Sequence, residues 1–281
     1  LPAVRRATRT YTQIDGSGRL PPPVADITLI AAGQNLGFAA ANNLGMNFAA
    51  QDPDARYYWI LNNDTVVEPM SLGVQRRRMD ADSGIGMLGA RLMFYAEPTA
   101  VQGLAGGFHR WLARGYHLGL GLKAGTLPSE TEVEEQMAYV LGASMFVRRM
   151  LVDAIGGMSE DYFLYFEEID WARRLPSNYS LAVAHDAVVW HKEGKAIGSA
   201  TRARPSETSL YYINAGLLRF YAKHDRALLL IVIARIVREG AGYLIRRDYN
   251  AAKAVFRGAK DAISGIHRRG RYNSPEFTAA G

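Results

Sequence analysis

The sequence predicts an α/β fold with a mainly parallel sheet flanked by helices, followed by a helical C-terminal part. Apolar runs of strand length alternate with stretches of helical spacing from residue 27 to about residue 200, which is the pattern of βαβ units. After that the spacing is helical to the end. The 281 residues are 48% hydrophobic and 21% charged, an ordinary globular composition. We therefore expect an α/β domain over residues 1–205 and a helical region over 206–281.

Short apolar runs and helical spacing locate the individual elements. The expected strands are 27–32, 57–61, 85–90, 139–147 and 181–190. The expected helices are 38–50, 68–79, 211–224, 227–238 and 251–266. Residues 1–23 end in three prolines and are expected to be loop or extended chain. Residues 98–136 are rich in glycine and are expected to form a long excursion or a mobile loop near a site.

Composition excludes several classes of protein. The chain has no cysteine, which excludes disulfides, iron–sulfur clusters, thiolate zinc sites and a cysteine nucleophile. No run reaches the roughly 18–20 apolar residues of a membrane span, and the N-terminal residues lack the apolar core of a signal peptide. We expect a cytoplasmic protein that is soluble or peripheral at the inner face of the membrane.

The positive charge is concentrated at the C-terminal end. Residues 201–281 carry 15 Lys and Arg against 6 Asp and Glu, whereas the net charge of the whole chain is only +6. Such a region can meet anionic lipid or another anionic partner, or it can form a solvated helix face. No recognised nucleic-acid module accompanies it, so a nucleic-acid partner is not expected.

Polar residues follow the second expected strand. Asn62, Asn63 and Asp64 come directly after the apolar run 57–61, where the carboxyl end of a strand meets the ligand crevice of an α/β sheet. Asp64 could bind a hard divalent cation, and the two amides could bind a ribose or a phosphate. An ordinary Asn/Asp turn at the end of a strand fits the same residues.

Three carboxylates occupy four positions at the start of an expected helix. Glu167 and Asp170 share one helix face, and Glu168 projects about 100° away from it. Arg173 and Arg174 can neutralise Asp170, which leaves a carboxylate available to take a proton from a hydroxyl. An acidic first turn of an ordinary helix, favoured by the helix dipole, is an equal alternative.

Two further patterns contribute candidate ligands. His191 ends the last expected strand and could complete a metal site with Asp64, although a lone histidine is more often structural. Asn35, Gly37 and Asn42 lie between a strand and a helix, where backbone can approach a phosphate. The Gly-x-Gly-x-x-Gly fingerprint is absent there, which disfavours a Rossmann dehydrogenase.

Taken together and in order, these segments resemble glycosyltransferase family 2, in particular its rhamnosyltransferase-like members. The resemblance covers roughly residues 27–200 and is carried by the ordered set of motifs. The matching stretches are 35–45, 61–69, 142–149, 155–160, 162–174 and 191–194.

The resemblance implies a GT-A fold and an inverting, metal-dependent transfer of a sugar from a nucleotide sugar, dTDP-L-rhamnose or a UDP-sugar, to a cell-surface glycan or its lipid-linked precursor. In the family's motifs, Asp64 corresponds to the acid that holds Mg²⁺ or Mn²⁺, and His191 to a histidine that can join it. Glu168, beside Glu167 and Asp170, falls at the catalytic base. The donor would contact Asn35, Gly37, Asn42, Asn62 and Asn63.

The start of the chain departs from that family. The family opens with a strand, a helix and a second strand that ends in an Asp-Asn-x-Ser motif, whereas only residues 12–18 are present here to take that part. Asp15 would then be the residue that contacts the nucleotide base. The departure also favours an alternative function, a non-catalytic nucleotide- or carbohydrate-binding protein on the same fold.

Overall fold

A computed structural model describes residues 27–192 and 205–267, together with the backbone of residues 11–15. The remainder of the expected N-terminal loop, the Glu193 and Gly194 end of the last motif and the residues after His267 lie outside the described residues. The Asp15 side chain lies outside them as well.

A six-stranded sheet forms the centre of the molecule. Its strands are β3 (Tyr57–Leu61), β4 (Thr65–Val67), β5 (Ile85–Phe94), β6 (Val101–Gly103), β9 (Ser144–Arg148) and β10 (Ser180–His191). The spatial order is β3-β9-β5-β10-β4, and β6 pairs with β5. A separate parallel pair is formed by β1 (Tyr11–Asp15) and β2 (Ile27–Ala31), and an antiparallel pair by β7 (Ala105–His109) and β8 (Arg114–Leu118).

The sheet is mixed, which corrects the expectation of mainly parallel pairing. The central pair β5 and β10 is parallel, but β9 lies between β3 and β5 and is antiparallel to both. The chain leaves the carboxyl end of β5, makes its excursion and re-enters the sheet from that same edge, so β9 must run in the opposite direction. The wider prediction, an α/β sheet with a helical C-terminal part, is confirmed.

Helices cover both faces of this sheet. In order they are α1 (Gly37–Ala49), α2 (Ser71–Ala81), α3 (Glu130–Glu134), α4 (Arg149–Ile155), α5 (Glu167–Arg173), α6 (Glu207–His224), α7 (Leu229–Ile245) and α8 (Tyr249–Ile263). Successive residues of β9 enter different cores: Met145 packs with residues of α1 and α4, and Phe146 packs in the cluster that contains α6. This alternation is what a strand that is buried on both faces requires.

The glycine-rich excursion contains secondary structure. It holds β6, the β7–β8 hairpin and α3, whose first turn is closed by a capping box of Ser129 and Glu132. Gly106 lies beneath the Tyr139 ring, where any side chain would collide. The glycines here admit aromatic rings close to the backbone, and this folds the excursion against the carboxyl edge of the sheet.

The C-terminal helices are built onto the α/β part. Leu210, Leu217 and Phe220 of α6 belong to the same buried cluster as Leu88 and Ile169, so α6 shares a core with the sheet. α8 packs on α6, and α7 packs on α8. Among the described residues, none of the helices has both the length and the apolar character needed to cross a bilayer.

Candidate active site at the carboxyl edge of the sheet

Backbone pairing brings Asp64 and His191 together. Residues 62–64 connect β3 at one edge of the sheet to β4 at the other, and β4 pairs with the end of β10 so that Thr65 lies opposite His191. As a result Asp64 Oδ1 lies 3.1 Å from His191 Nε2. The backbone N–H of Lys192 donates to the Asp64 carbonyl over 3.0 Å. The pair is therefore held by rigid strands.

A buried amide orients the histidine. Nδ1 of His191 donates to Oε1 of Gln102 over 3.0 Å, and Gln102 is only 2% exposed. Nε2 is then left to face the Asp64 carboxylate. In the neutral ring this nitrogen presents a lone pair, so a cation between it and Asp64 would satisfy both groups, and in the protonated ring it donates to Asp64 as an ion pair.

The donor set suits Mg²⁺ or Mn²⁺. Neighbouring ligands on an octahedral ion with bonds of about 2.1 Å lie about 3 Å apart, which matches the separation of the Asp64 oxygen and the His191 nitrogen. Within the described residues, no cluster of three acidic or histidine side chains gathers there or elsewhere to hold a metal. Two protein ligands leave the remaining positions for water and substrate phosphate, which is usual for these ions.

Glu168 stands in the first turn of α5, after a turn of unusual backbone. Tyr165 and Phe166 both have left-handed φ values, 67° and 73°, a conformation that costs bulky residues energy and needs support from their surroundings. Gly216 of α6 supplies part of it, since a side chain there would collide with the Phe166 ring. Packing of α6 thus helps to fix where α5 begins.

The Glu168 carboxylate is enclosed by backbone. It accepts hydrogen bonds from the backbone of Gly142 and from its own N–H, while burial, the larger effect, raises its pKa to about 7. Gly142 contacts it so closely that a β-carbon at that position would overlap the carboxylate oxygen. A carboxyl group with a pKa near neutrality can accept and release a proton under ordinary conditions.

Backbone contacts bring the chain around Asp64 close to the chain around Glu168. The backbone N–H of Asn62 donates to the carbonyl of Ala143 over 3.2 Å, and the neighbouring Gly142 contacts Glu168. The short path from Asp64 through Asn62 and Ala143 to Gly142 therefore connects the candidate metal ligand to the candidate base.

The other two acids of α5 are placed differently. Glu167 is buried, and its Oε2 has no hydrogen-bond partner among the described residues. Burial and, after it, the charge of Glu168 raise the pKa of Glu167 well above its ordinary value. Asp170 is fully buried among side chains that pair with it. Its partners are Arg174 at 3.1 Å, Lys223 at 2.8 Å, His224 at 2.7 Å and Tyr162 at 3.2 Å.

The expected donor-binding residues fall into two groups. Asn62 joins the site, with its Nδ2 3.4 Å from His191 Nε2, and Asn63 is exposed beside it. Around α1, the Asn35 side chain accepts from the Gly37 N–H over 3.0 Å, and Asn42 bonds within its own helix.

The start of α1 lies against the segment that precedes α5. Gly37 has a φ of +80° and touches the carbonyl of Phe163, a close approach that only glycine permits. The N–H of Phe38 donates to that carbonyl over 3.0 Å.

Three residues at the site were not assigned roles by sequence reasoning. Gln102 carries no sequence signal at all, because its partner is distant in the chain. Gly142 stands in one of the matching motifs, but its contact with Glu168 needs the folded chain. Tyr139 is a buried aromatic whose pKa is raised by burial and by the Glu168 charge. A cavity of about 520 Å³ lies elsewhere, between α6, α7 and α8.

Comparison with known proteins gives the following picture. No family model matches the chain, and no curated protein matches it. Among the similar solved structures are GalNAc-T7, the mannosyltransferase PcManGT and TarS. GalNAc-T7 with UDP, GalNAc and Mn²⁺ is 13% identical with a TM-score of 0.47, over 70% of this chain and 38% of that one. This chain therefore spans about two fifths of the GalNAc-T7 chain.

Two more similar structures cover most of both chains. The mannosyltransferase PcManGT from Pyrobaculum calidifontis, with GDP-Man and Mn²⁺, is 11% identical with a TM-score of 0.41, over 92% of this chain and 88% of that one. TarS 1-349 from S. aureus, with UDP-GlcNAc, is 12% identical with a TM-score of 0.42, over 87% and 77%.

Proposed function

We propose that this chain is a GT-A glycosyltransferase that moves a sugar from a nucleotide sugar to an acceptor hydroxyl with inversion at the anomeric carbon. The observation that carries the proposal is the arrangement at one sheet edge of a cation-seeking pair, Asp64 and His191, and a carboxyl group of near-neutral pKa, Glu168. The ordered motifs from Asn35 to Gly194 support the same reading. Residues 1–205 form the catalytic domain in this proposal, and 206–281 its helical extension.

The roles follow from the chemistry of each group. Asp64 and His191 would hold Mg²⁺ or Mn²⁺, and the ion would supply positive charge to neutralise the departing nucleoside diphosphate. Asn62 and Asn63 hydrogen-bond the donor, and Gln102 fixes the orientation of the His191 ring. The N-terminal end of α1, with Asn35, Gly37 and Asn42, lies on the donor side.

Glu168 is the base of the proposed transfer. It takes the proton from the acceptor hydroxyl as that oxygen bonds to the anomeric carbon, and the bond from that carbon to the diphosphate oxygen breaks on the opposite face. General base catalysis of this kind contributes about 10²–10⁴-fold. Glu167 and Asp170 have supporting roles in this proposal, since Glu167 is buried with a raised pKa and Asp170 is engaged by the basic side chains around it.

Donor and acceptor classes come from the family resemblance. The donor is dTDP-L-rhamnose or a UDP-sugar, and the acceptor is a cell-surface glycan or its lipid-linked precursor in cell wall polysaccharide synthesis. Such an acceptor places the enzyme at the inner face of the membrane, with its basic C-terminal helices in peripheral contact. Asp15, at the end of β1, is the proposed contact of the nucleotide base.

A thermal-shift screen of nucleotide sugars, with and without Mn²⁺, tests this function. We expect one donor to raise the melting temperature only when metal is present. The Asp64→Ala variant should lose that metal-dependent shift and the calorimetric heat of donor binding. The matched control is Asp54→Ala, since Asp54 is an exposed aspartate in the loop before β3, and it should behave as wild type. Donor binding without turnover in any acceptor assay would favour the non-catalytic alternative, and equal donor affinity in Asp64→Ala would refute the metal assignment.

A further inference from the structure

Helix α7 carries its apolar residues on the outside. Val232, Ile236 and Gly240, spaced four residues apart, form its buried side, and Gly240 admits the Phe256 ring of α8. The opposite side is exposed and apolar over most of its arc. Its large members are Leu230, Ile231, Ile233, Val237, Leu244 and Ile245. Leu230 is 81% exposed and Ile245 is 83% exposed. A helix of a water-soluble protein normally shows the reverse arrangement.

The charged residues in and next to α7 are arranged around this exposed apolar side. Its only acidic residue, Glu239, is on the buried side, where its Oε2 is shielded from solvent. Arginines surround the exposed arc: Arg226 precedes the helix, Arg238 lies at its flank, and Arg246 and Arg247 follow it. All four are exposed. The arc is thus apolar in the middle and positive at its edges.

The tip of the β7–β8 hairpin extends this surface. Arg110 forms an ion pair of 2.5 Å with Asp225, directly before the turn that leads into α7, and Tyr221 of α6 donates to the Arg110 carbonyl. These bonds hold the next two residues, Trp111 and Leu112, beside the start of α7. Trp111 is 65% exposed. Tryptophan with its apolar ring and polar N–H is favoured at a membrane–water interface.

We propose that this surface, the exposed arc of α7 with Trp111 and Leu112, lies in the headgroup region of an anionic lipid bilayer. An apolar arc bordered by arginines is the pattern of a helix that lies in the plane of the interface, and each arginine near an anionic leaflet adds attraction. The inference extends the membrane contact proposed above and does not require the transferase activity. It assigns the contact to the apolar arc, with the arginines at its border.

Two other partners for this surface are a second copy of the chain and the chain's own residues after His267, and the sequence argues against both. A second copy that packed through the same face about a two-fold axis would place Arg238, next to the middle of α7, near its own counterpart, and like charges there oppose association. The residues after His267 include three arginines and few large apolar side chains, so they offer no apolar cover of their own. A bilayer with acidic headgroups satisfies both the apolar arc and its positive border.

Flotation with lipid vesicles tests the inference on the whole chain, without donor or acceptor. We expect the wild-type protein to float with vesicles of phosphatidylcholine and phosphatidylglycerol and to stay at the bottom with phosphatidylcholine alone. The double variant Leu230→Glu/Val237→Glu should bind the anionic vesicles about tenfold more weakly or worse. Both side chains are exposed, so its melting temperature should be unchanged.

A matched double variant controls for the added negative charge. Leu72→Glu/Met150→Glu alters two exposed apolar residues of α2 and α4, and it should float like wild type. In addition, Trp111→Phe should remove the blue shift of tryptophan fluorescence that anionic vesicles cause. The inference fails if wild type does not float, if both double variants lose flotation equally, or if Leu230→Glu/Val237→Glu converts a dimer of the free protein to monomer. A loss of transferase activity alone would change neither vesicle flotation nor tryptophan fluorescence, so failure of the proposed function can be told apart from failure of this inference.

Discussion

Glu168 and Asp170 lie two residues apart on α5, but their surroundings are opposite. Asp170 is buried among Arg174, Lys223 and His224. Burial would raise its pKa, yet hydrogen bonds from Lys223 and His224 and the charges of Lys223 and Arg174 outweigh that effect and hold the pKa below its ordinary value. Glu168 is enclosed by backbone instead, and its pKa rises to about 7. The first turn of α5 therefore contains two different carboxyl groups. Asp170 has a lowered pKa and a structural role, whereas Glu168 has a raised pKa that suits proton exchange.

This contrast shows what a count of acids cannot reveal. A compensated carboxylate stabilises the fold and has no capacity left for a substrate, whereas an uncompensated one is costly to keep charged and is poised to react. The cations that compensate Asp170 come mainly from the end of α6, so the C-terminal helices determine which acid of α5 remains uncompensated.

The strongest test of the contrast is Glu168→Gln. We expect turnover to fall by about 10²–10⁴-fold, because the amide cannot accept the acceptor proton, while calorimetric donor affinity stays near the wild-type value. The measurement is the initial rate of sugar transfer at saturating donor and acceptor. Near-normal turnover would show that the base lies elsewhere.

Asp170→Asn should act on stability. Removing this charge leaves Arg174 and Lys223 without their shared buried carboxylate, and breaking such a cluster costs about 3 kcal/mol of unfolding free energy. Asp153→Asn is the control, because Asp153 forms an exposed pair with Arg149 at 3.6 Å, where a loss below about 0.5 kcal/mol is expected. Denaturant unfolding compares the two. Equal losses would mean that burial of the Asp170 cluster contributes nothing.

Gly142→Ala is designed to move the base without unfolding the protein. The added methyl would overlap the Glu168 carboxylate, which sits at the end of a flexible side chain and can swing away at small cost in stability. Misplacing a reacting group by about 1 Å can cost about 10²-fold in rate. We therefore expect turnover to fall by about 10- to 100-fold with an unchanged melting temperature. Gly45→Ala, where nothing lies within 4 Å of the new methyl, should retain full activity.

Much of the fold could be predicted because its elements are strongly patterned. β3 has the bounds that the apolar run at 57–61 predicts, and α1 and α6 differ from their predicted bounds by a few residues. The direction of β9 could not be predicted, because an apolar run buried on both faces looks the same in either direction. The structure of the glycine-rich excursion 98–136 could not be predicted, because its glycines make contacts with rings such as Tyr139 that form only in the folded chain.

For the site, the sequence indicated which residues could react and left their environments open. The structure brings Asp64 and His191 together because both follow strand ends at one edge, a rule of α/β sheets that applies without coordinates. It could not be seen in advance that Gln102 orients the histidine or that Lys223 and His224 reach Asp170, since these contacts join distant parts of the chain. The catalytic and metal-binding roles themselves stay predictions.

The smallest expected effect distinguishes Glu167 from its neighbour. Glu168 must be deprotonated to act as a base, so kcat/KM should rise as pH increases and level off above about 7, where the carboxylate form predominates. Burial and then the charge of Glu168 raise the pKa of Glu167 well above its ordinary value, so we expect Glu168 to be the first of the two to lose its proton. Glu167→Gln removes the carboxyl group that loses its proton second and keeps its shape, so the midpoint of the pH profile should not move. A midpoint lowered by about one unit or more would show that Glu167 is charged in the free enzyme and that its charge raises the pKa of Glu168.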